Sequence, residues 1–332
     1  MRNNSEATKF TIKETQIAIK SLKDYFERDR ANTLNLTRVS APLFVRPETG
    51  LNDNLNGVEK AVGFKLRKYD IDVEIVQSLA KWKRNALKIY DFDFYEGLYT
   101  DMNAIRPDEV VDATHSVYVD QWDWEKVIRK EDRTSDYLHF VVSEIYSVFL
   151  RTETYINSVY PYILSKKLPN SIYFMTTQEL EDMYPDLTPK EREDAICREK
   201  KAVFLQGIGG DLESGAPHDG RSPDYDDWKL NGDILFYNPV TDSALELSSM
   251  GIRVDEESLK HQLEISGMTD RMELDYHKNL MAGDLPYTIG GGIGQSRICM
   301  FFLEKKSIAE VQASVWPESF IMDATLRGEV IL

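Results

Sequence analysis

Gly290-Gly291-Gly292-Ile293-Gly294-Gln295-Ser296-Arg297 runs straight into the apolar stretch Ile298-Cys299-Met300-Phe301-Phe302-Leu303. Clustered glycines let backbone approach a ligand or a neighbouring element closely, and the arginine that ends the turn is placed to lie over a planar base or to contact phosphate. Taken alone, such a cluster more often marks a turn or helix packing than a ligand site. Its weight comes from partners elsewhere in the chain.

The first partner is Arg106-Pro107-Asp108-Glu109, which follows the alternating Leu98-Tyr99-Thr100-Asp101-Met102-Asn103-Ala104-Ile105 and so sits near the end of a strand. The second is Leu245-Glu246-Leu247-Ser248-Ser249-Met250-Gly251-Ile252-Arg253, a strand-like run that holds a carboxylate. Two arginines and an acid among apolar residues can clamp a triphosphate with its metal. Pro42 follows the amphipathic N-terminal segment, and Pro42, Arg106 and Arg297 resemble, in order, the three signature motifs of class II aminoacyl-tRNA synthetases.

The resemblance narrows and covers nearly the whole chain. Asp53-Asn54-Leu55, Ser78-Leu79-Ala80-Lys81-Trp82-Lys83-Arg84, Gly97-Leu98-Tyr99-Thr100, His115-Ser116-Val117-Tyr118-Val119-Asp120-Gln121-Trp122-Asp123-Trp124, Pro223-Asp224-Tyr225-Asp226-Asp227-Trp228 and Asn231-Gly232-Asp233-Ile234-Leu235 are similar to the ammonia-dependent asparagine synthetases, the aspartate–ammonia ligases of bacteria. Ser296 stands before the third-motif arginine where most class II synthetases carry an acid or similar polar group, as in the ligase pattern.

Composition bounds the rest. The 332 residues are 42% hydrophobic, enough for a sizeable core. No apolar run approaches a membrane span and the N-terminus lacks a signal-peptide core, so a soluble, cytoplasmic protein is expected. Cys197 and Cys299 do not suggest a disulfide framework or a zinc site. The 40 Lys and Arg stand against 56 Asp and Glu, a net charge of −16 that mostly serves solubility and disfavours a nucleic-acid partner. Lys81, Lys83 and Arg84 form the densest candidate for a basic patch.

Along the chain, residues 1–7 are polar and expected to fray. Ile12, Ile19, Leu22 and Phe26 recur at helical spacing. Leu34 and Leu36 alternate into Val39 and Pro42, which predicts an edge or interface strand. Ile71, Val73 and Ile75 predict a strand, as do Val117 and Val119. The longest helix is expected from Tyr137 to about Tyr160, with Phe140, Ile145 and Phe149 on one face. Thr188-Pro189-Lys190-Glu191 is a capping box with proline at the first helical position. Strands separated by turns argue for a mainly antiparallel sheet flanked by helices, hence an α+β fold in a single domain spanning 1–332, with too few residues outside the core for an anticodon-binding module.

What the resemblance implies about the site is specific. Arg106 would contact the α-phosphate of ATP and the carboxylate being activated, and Arg297 would stack on adenine or contact the γ-phosphate. ATP would further meet Arg221, Asp226, Ser248, Ser249, Arg253 and Gly294. Asp233 and Glu246, costly to bury unpaired, would hold Mg2+, an arginine such as Arg253 being the alternative partner. Aspartate falls to Asp53, Ser78, Lys83, Gln121 and Asp123, with Asp53, Lys83, Arg106 and Arg297 as the catalytic set. Trp122 and Trp124 read as core, and the five histidines carry no assigned chemistry. The implied reaction joins ammonia to L-aspartate through a β-aspartyl-adenylate in a homodimer. An aminoacyl transferase acting on tRNA and a non-catalytic synthetase paralogue are the rival readings. The residues alone leave open which carboxylate of aspartate meets ATP.

Overall fold

A computed structural model describes residues 10–53 and 59–332. Segment 1–7 and the pair Asn54-Leu55, both singled out above, lie outside the described residues. In chain order the elements are α1 (Ile12–Leu34), β1 (Leu36–Arg38), β2 (Phe44–Val45), β3 (Gly63–Leu66), β4 (Ile71–Ile75), α2 (Ala80–Ile89), β5 (Gly97–Ile105), β6 (Tyr118–Val127), α3 (Ser135–Val159), β7 (Tyr173–Thr176), α4 (Thr177–Met183), α5 (Pro189–Lys200), β8 (Ala202–Gln206), β9 (Asp226–Asn238), β10 (Ser243–Arg253), α6 (Glu256–Ile265), α7 (Asp275–Met281), β11 (Thr288–Gly294), α8 (Gln295–Phe302) and α9 (Glu318–Leu326).

The α+β architecture centres on one sheet with strand order β1-β5-β6-β11-β10-β9-β8-β7, and β2-β4-β3 form a small second sheet. The five inner pairings of the large sheet are antiparallel, whereas β1 runs parallel to β5 and β7 parallel to β8. The sheet is therefore mixed, mostly antiparallel, with a parallel pair at each end. Parallel neighbours need a crossover. Helices α4 and α5 supply it between β7 and β8, and the small sheet with α2 supplies it between β1 and β5.

Helix α1 starts in a capping box made by Thr11 and Glu14 and buries Ala18, Leu22 and Phe26. With Ile145 and Phe149 of α3 and Phe301 and Phe302 of α8, they cover Trp122 and Trp124 of β6, Ile289 and Ile293 of β11 and Met250 of β10 in one continuous cluster. Phe26 packs against both Trp122 and Phe149, and Phe149 against Phe236. Each fully buried large side chain contributes about 1.5–3 kcal/mol, so this face holds the sheet together. Among the described residues no helix is long and apolar enough to cross a membrane.

Several expectations are corrected. The glycine run is not a turn but most of β11, a central strand whose end leads directly into α8. Leu34 closes α1, and Pro42 lies in the link between β1 and β2 rather than in a strand. Phe140 is exposed, because five residues separate it from Ile145 and turn it off the buried face. The capping box at Thr188 and Pro189 opens α5 as the spacing predicts.

Candidate active site

The site grows from the opposite face of β6, β11 and β10. Alternation along β6 sends Gln121, Asp123 and Glu125 away from the tryptophans, and β11 lies beside them with Gly294, Gly292 and Gly290 directly across. The glycines make that packing possible. A Cβ on Gly290 would stand 2.0 Å from Glu125 Oε2, and one on Gly292 would stand 2.2 Å from Gln121 Oε1 and 2.8 Å from Asp123 Oδ1. The run is thus glycine for close approach, as read from sequence, but the approach is to polar side chains across a sheet.

Lys83, from α2, reaches into this row. Its Nζ donates to the carbonyls of Trp124 and Gly291 at 3.0 and 3.1 Å and sits 3.2 Å from Asp123 Oδ2 and 3.8 Å from Glu125 Oε2. Burial draws its pKa below the usual lysine value against the pull of both acids. Lys81 and Arg84 are turned inward as well, to Asp224 and to the carbonyls of Pro286 and Val254. The densest run of basic residues is therefore an internal set of cations, not a surface patch.

Arg253 forms a fork on Glu125, with contacts of 2.9 and 2.7 Å, and also binds Asp226. Burial would raise the pKa of Glu125, but Arg253 and Lys83 outweigh it and hold the group ionised below its ordinary value. Arg221 reaches Asp233 at 2.6 Å and also bonds Ser249. Arg297, in the first turn of α8, donates to the carbonyls of Thr114 and Glu246 and pairs with the Glu246 carboxylate at 3.3 Å. Arginines do hold both proposed metal acids, but they are Arg221 and Arg297, not Arg253. A bulge in β10 between Glu246 and Ser248 brings Glu246 and Ser249 to the same side, where strict alternation would separate them.

These groups enclose a cavity of about 400 Å3, within the range of small-molecule sites. Asp53, Ser78, Lys83, Arg106, Gln121, Asp123, Arg221, Asp226, Glu246, Ser249, Arg253, Gly294 and Arg297 line it. Two sequence candidates do not. Ser248 spends its hydroxyl on the Gly292 carbonyl, bracing β10 to β11, and Asp233 stands behind Arg221. Arg106 follows β5, and its Nε is buried with no hydrogen-bond partner among the described residues. Ser78 Oγ accepts from the Ala80 amide at the start of α2. Asp53 accepts from Ser222, and burial pushes its carboxyl up to about 6 against the pull of Lys81.

A family model described as aspartate-ammonia ligase matches residues 13–327. The chain belongs to the aspartate–ammonia ligase family. It is 63% identical over 326 residues to the aspartate–ammonia ligase of Clostridium tetani, covering 98% of this chain and 95% of that one. To the ligase of Ruminiclostridium cellulolyticum it is 64% identical over 322 residues, covering 97% and 96%. In fold, this ligase-family chain is similar to asparaginyl-tRNA synthetase from Pyrococcus horikoshii complexed with asparaginyl-adenylate, with a TM-score of 0.65 at 15% identity over 91% of this chain and 70% of that one. Asparaginyl-tRNA synthetase of Entamoeba histolytica gives 0.61 at 13% identity, over 91% and 67%.

Sequence reading missed several residues that the ligase-family fold brings to the site. Glu125 binds Arg253 and Lys83 from within a strand that reads as aromatic core. Ser222 and Asp224 connect Asp53 to Lys81, Arg271 and His277, so one of the unassigned histidines is buried in that cluster. His115 lines the cavity with Nδ1 held by Asp112. The available signal was charge: a buried acid needs a cation, and the Lys81-Trp82-Lys83-Arg84 segment supplies Lys81 to Asp224.

Proposed function

We propose that the chain converts L-aspartate, ATP and ammonia into L-asparagine, AMP and pyrophosphate through a β-aspartyl-adenylate. Arg106 carries the reading: its guanidinium stands at the cavity wall and its Nε has no hydrogen-bond partner among the described residues, which leaves it donor capacity for an incoming anion. Displacing oxide from a carboxylate by ammonia is difficult, and adenylation gives the carbon a better leaving group. An aspartate oxygen attacks the α-phosphorus, forming the acyl-phosphate bond and expelling pyrophosphate. Ammonia then attacks the acyl carbon and AMP departs.

Each half of the cavity has a task in this reading. Asp123 accepts from an α-ammonium, while Lys83, Gln121 and Ser78 orient the carboxylates. Arg106, Arg221 and Arg297 neutralise the triphosphate, and Arg106 meets the charge that grows on the α-phosphoryl oxygens. Arg253 holds Asp226 in place, Ser249 and Gly294 border the nucleotide, and Asp53 serves as the base for ammonium.

Asp233 and Glu246 suit Mg2+ as a pair. Burial pushes Asp233 up to about 7 against the pull of Arg221, with Glu246 adding to the rise, so the two acids share one region of negative charge behind Arg221. Among the described residues no three His, Cys, Asp or Glu side chains group to hold a metal alone, so phosphate oxygens would complete the shell, as is common for Mg2+. Bound there, the ion would neutralise charge on the polyphosphate.

The reading extends to a single catalytic domain acting in the cytoplasm as a homodimer, joined around α1 and the segment bearing Pro42, with no nucleic acid or membrane partner. Incubation with aspartate and ATP, with and without ammonium and with and without tRNA, tests it. Asparagine and AMP forming without tRNA supports the reading. ADP as product, or a requirement for tRNA, overturns it.

A further inference from the structure

Asp53 at the cavity wall and Asp224 behind it share a single hydroxyl. Ser222 Oγ lies 3.0 Å from Asp53 Oδ1 and 2.9 Å from Asp224 Oδ1. A serine hydroxyl has one hydrogen. With both carboxylates ionised, one of these contacts is oxygen against oxygen with no hydrogen between them, in a site where an unmade hydrogen bond is costly.

Asp224 is the member that stays ionised. Its Oδ2 accepts from Lys81 Nζ at 2.9 Å, Arg271 NH1 at 2.9 Å and His277 Nε2 at 3.0 Å. Burial would raise its pKa, but Lys81, His277 and Arg271 hold it well below the usual carboxylate range. Among the described residues Asp53 has no such set of donors. Its Oδ2 is buried with no partner among the described residues, and the residue lines the cavity. One arrangement satisfies every oxygen facing Ser222: a protonated Asp53 donates to Ser222 Oγ, and Ser222 donates to Asp224.

We propose that Ser222 and Asp224 are positioning residues that make Asp53 a base for ammonium, by leaving its carboxylate one hydrogen short until it takes up a proton. The proposal rests on Asp53 being the base in the reaction given above. Ammonium gives one proton to Asp53. The freed lone pair forms the C–N bond to the acyl carbon, the C–O bond to AMP breaks, and the extra proton on the new nitrogen leaves with the phosphate oxygen of AMP. Since the two-fold torsion of a carboxyl interchanges its oxygens, a proton received at Oδ2 can turn to face Ser222. It passes to solvent when products depart.

The charged and titratable groups around Asp53 are Lys81 of α2, Asp224 and Tyr225 of the loop before β9, Arg271 of the turn before α7, and His277 of α7. Glu59 and Lys83 belong to the same cavity wall. Burial pushes the Asp53 carboxyl up to about 6 against the pull of Lys81, with Asp224 adding to the rise and a hydrogen bond donated by Ser222 opposing it, so the rise is carried by burial and Asp224.

The test compares Ser222→Ala, Ser222→Thr, Asp224→Asn and Asp53→Asn in the full chain by two readouts. One is kcat/KM for ammonium against pH at saturating aspartate and ATP; the other is ATP–pyrophosphate exchange without ammonium, which reports adenylation and an intact fold. Ser222→Ala and Asp224→Asn are expected to keep exchange and to lose roughly tenfold in kcat/KM for ammonium near neutral pH. Their acidic limb should move about one pH unit lower, because Asp53 becomes a weaker base. Ser222→Thr keeps the hydroxyl and should keep the wild-type limb. A limb that stays in place or moves upward in Ser222→Ala, with exchange retained, overturns the proposal. Asp53→Asn separates the two levels: normal amidation in that variant removes the base reading itself, whereas loss of amidation beside an unmoved Ser222→Ala limb removes only this inference.

Discussion

On β6 the side chains of Trp122 and Trp124 sit in the apolar layer with Phe26 and Phe149, whereas Asp123 and Glu125, each one residue away, are tied to Lys83 and Arg253 on the opposite face. The same backbone ladder serves both. The apolar face gains free energy from every side chain it removes from water. The charged face pays desolvation on each ion and recovers it only through close pairing, and such buried pairs often stabilise no better than well-packed hydrophobes would. The first face therefore accounts for the fold and the second for the chemistry.

Substitutions at neighbouring positions break this comparison most sharply. Trp122→Ala should cost about 3–5 kcal/mol of stability, read as a lowered Tm, while the protein that remains folded keeps its KM values. Asp123→Asn should shift Tm far less and raise KM for aspartate. If both substitutions lower stability equally and leave KM alone, the division between faces is wrong.

Within the charged face, Arg106→Lys should lose about 2–4 kcal/mol of transition-state stabilisation, roughly 30- to 1,000-fold in turnover, since lysine keeps the charge but not the two-pronged contact. Arg297→Lys should instead raise KM for ATP more than it lowers turnover at saturation. Pyrophosphate exchange across ATP concentration separates the two.

A smaller effect follows from Asp53. Its folded pKa of about 6 lies above the free value, so the native state binds the proton more tightly and the ionised form is the strained one. Stability is complete below about pH 4 and falls as pH rises towards 6. Asp53→Asn removes the group, so its Tm relative to wild type should be higher at pH 8 than at pH 4, by at most about 3 kcal/mol in free energy. A difference in Tm that does not change with pH would contradict it.

The smallest expected change belongs to Asp233→Asn and Glu246→Gln, which keep size and remove charge. The magnesium concentration for half-maximal rate should rise by about tenfold, near 1.4 kcal/mol. Unchanged magnesium dependence would make these acids structural partners of Arg221 and Arg297 alone.

Part of the apolar face was legible in the sequence, because helical spacing at Leu22 and Phe26 reports local geometry directly, as alternation at Ile71, Val73 and Ile75 does for β4 of the small sheet. The charged face was legible mainly through resemblance, which pointed to Asp53, Lys83, Asp123 and both motif arginines. What stayed hidden depends on distant partners. Lys81 meets Asp224 across 143 residues of chain, and Arg253 meets Glu125 across 128. Glycine is depleted in strands, so β11 reads as a turn until the side chains of β6 that fill its missing Cβ positions are known. The parallel pairs at the sheet ends likewise follow from crossovers that no local pattern displays.

The central claim, that the charged face joins aspartate to AMP before ammonia arrives, is tested most directly by oxygen transfer. L-Aspartate carrying 18O in both oxygens of its β-carboxylate is turned over with ATP and ammonium, and the products are weighed by mass spectrometry. The account predicts one labelled oxygen in the phosphate of AMP, the other in the amide of asparagine, and none in pyrophosphate. Unlabelled AMP beside asparagine that retains its β-carboxylate label, or label appearing in a phosphate product formed with ADP, would contradict it.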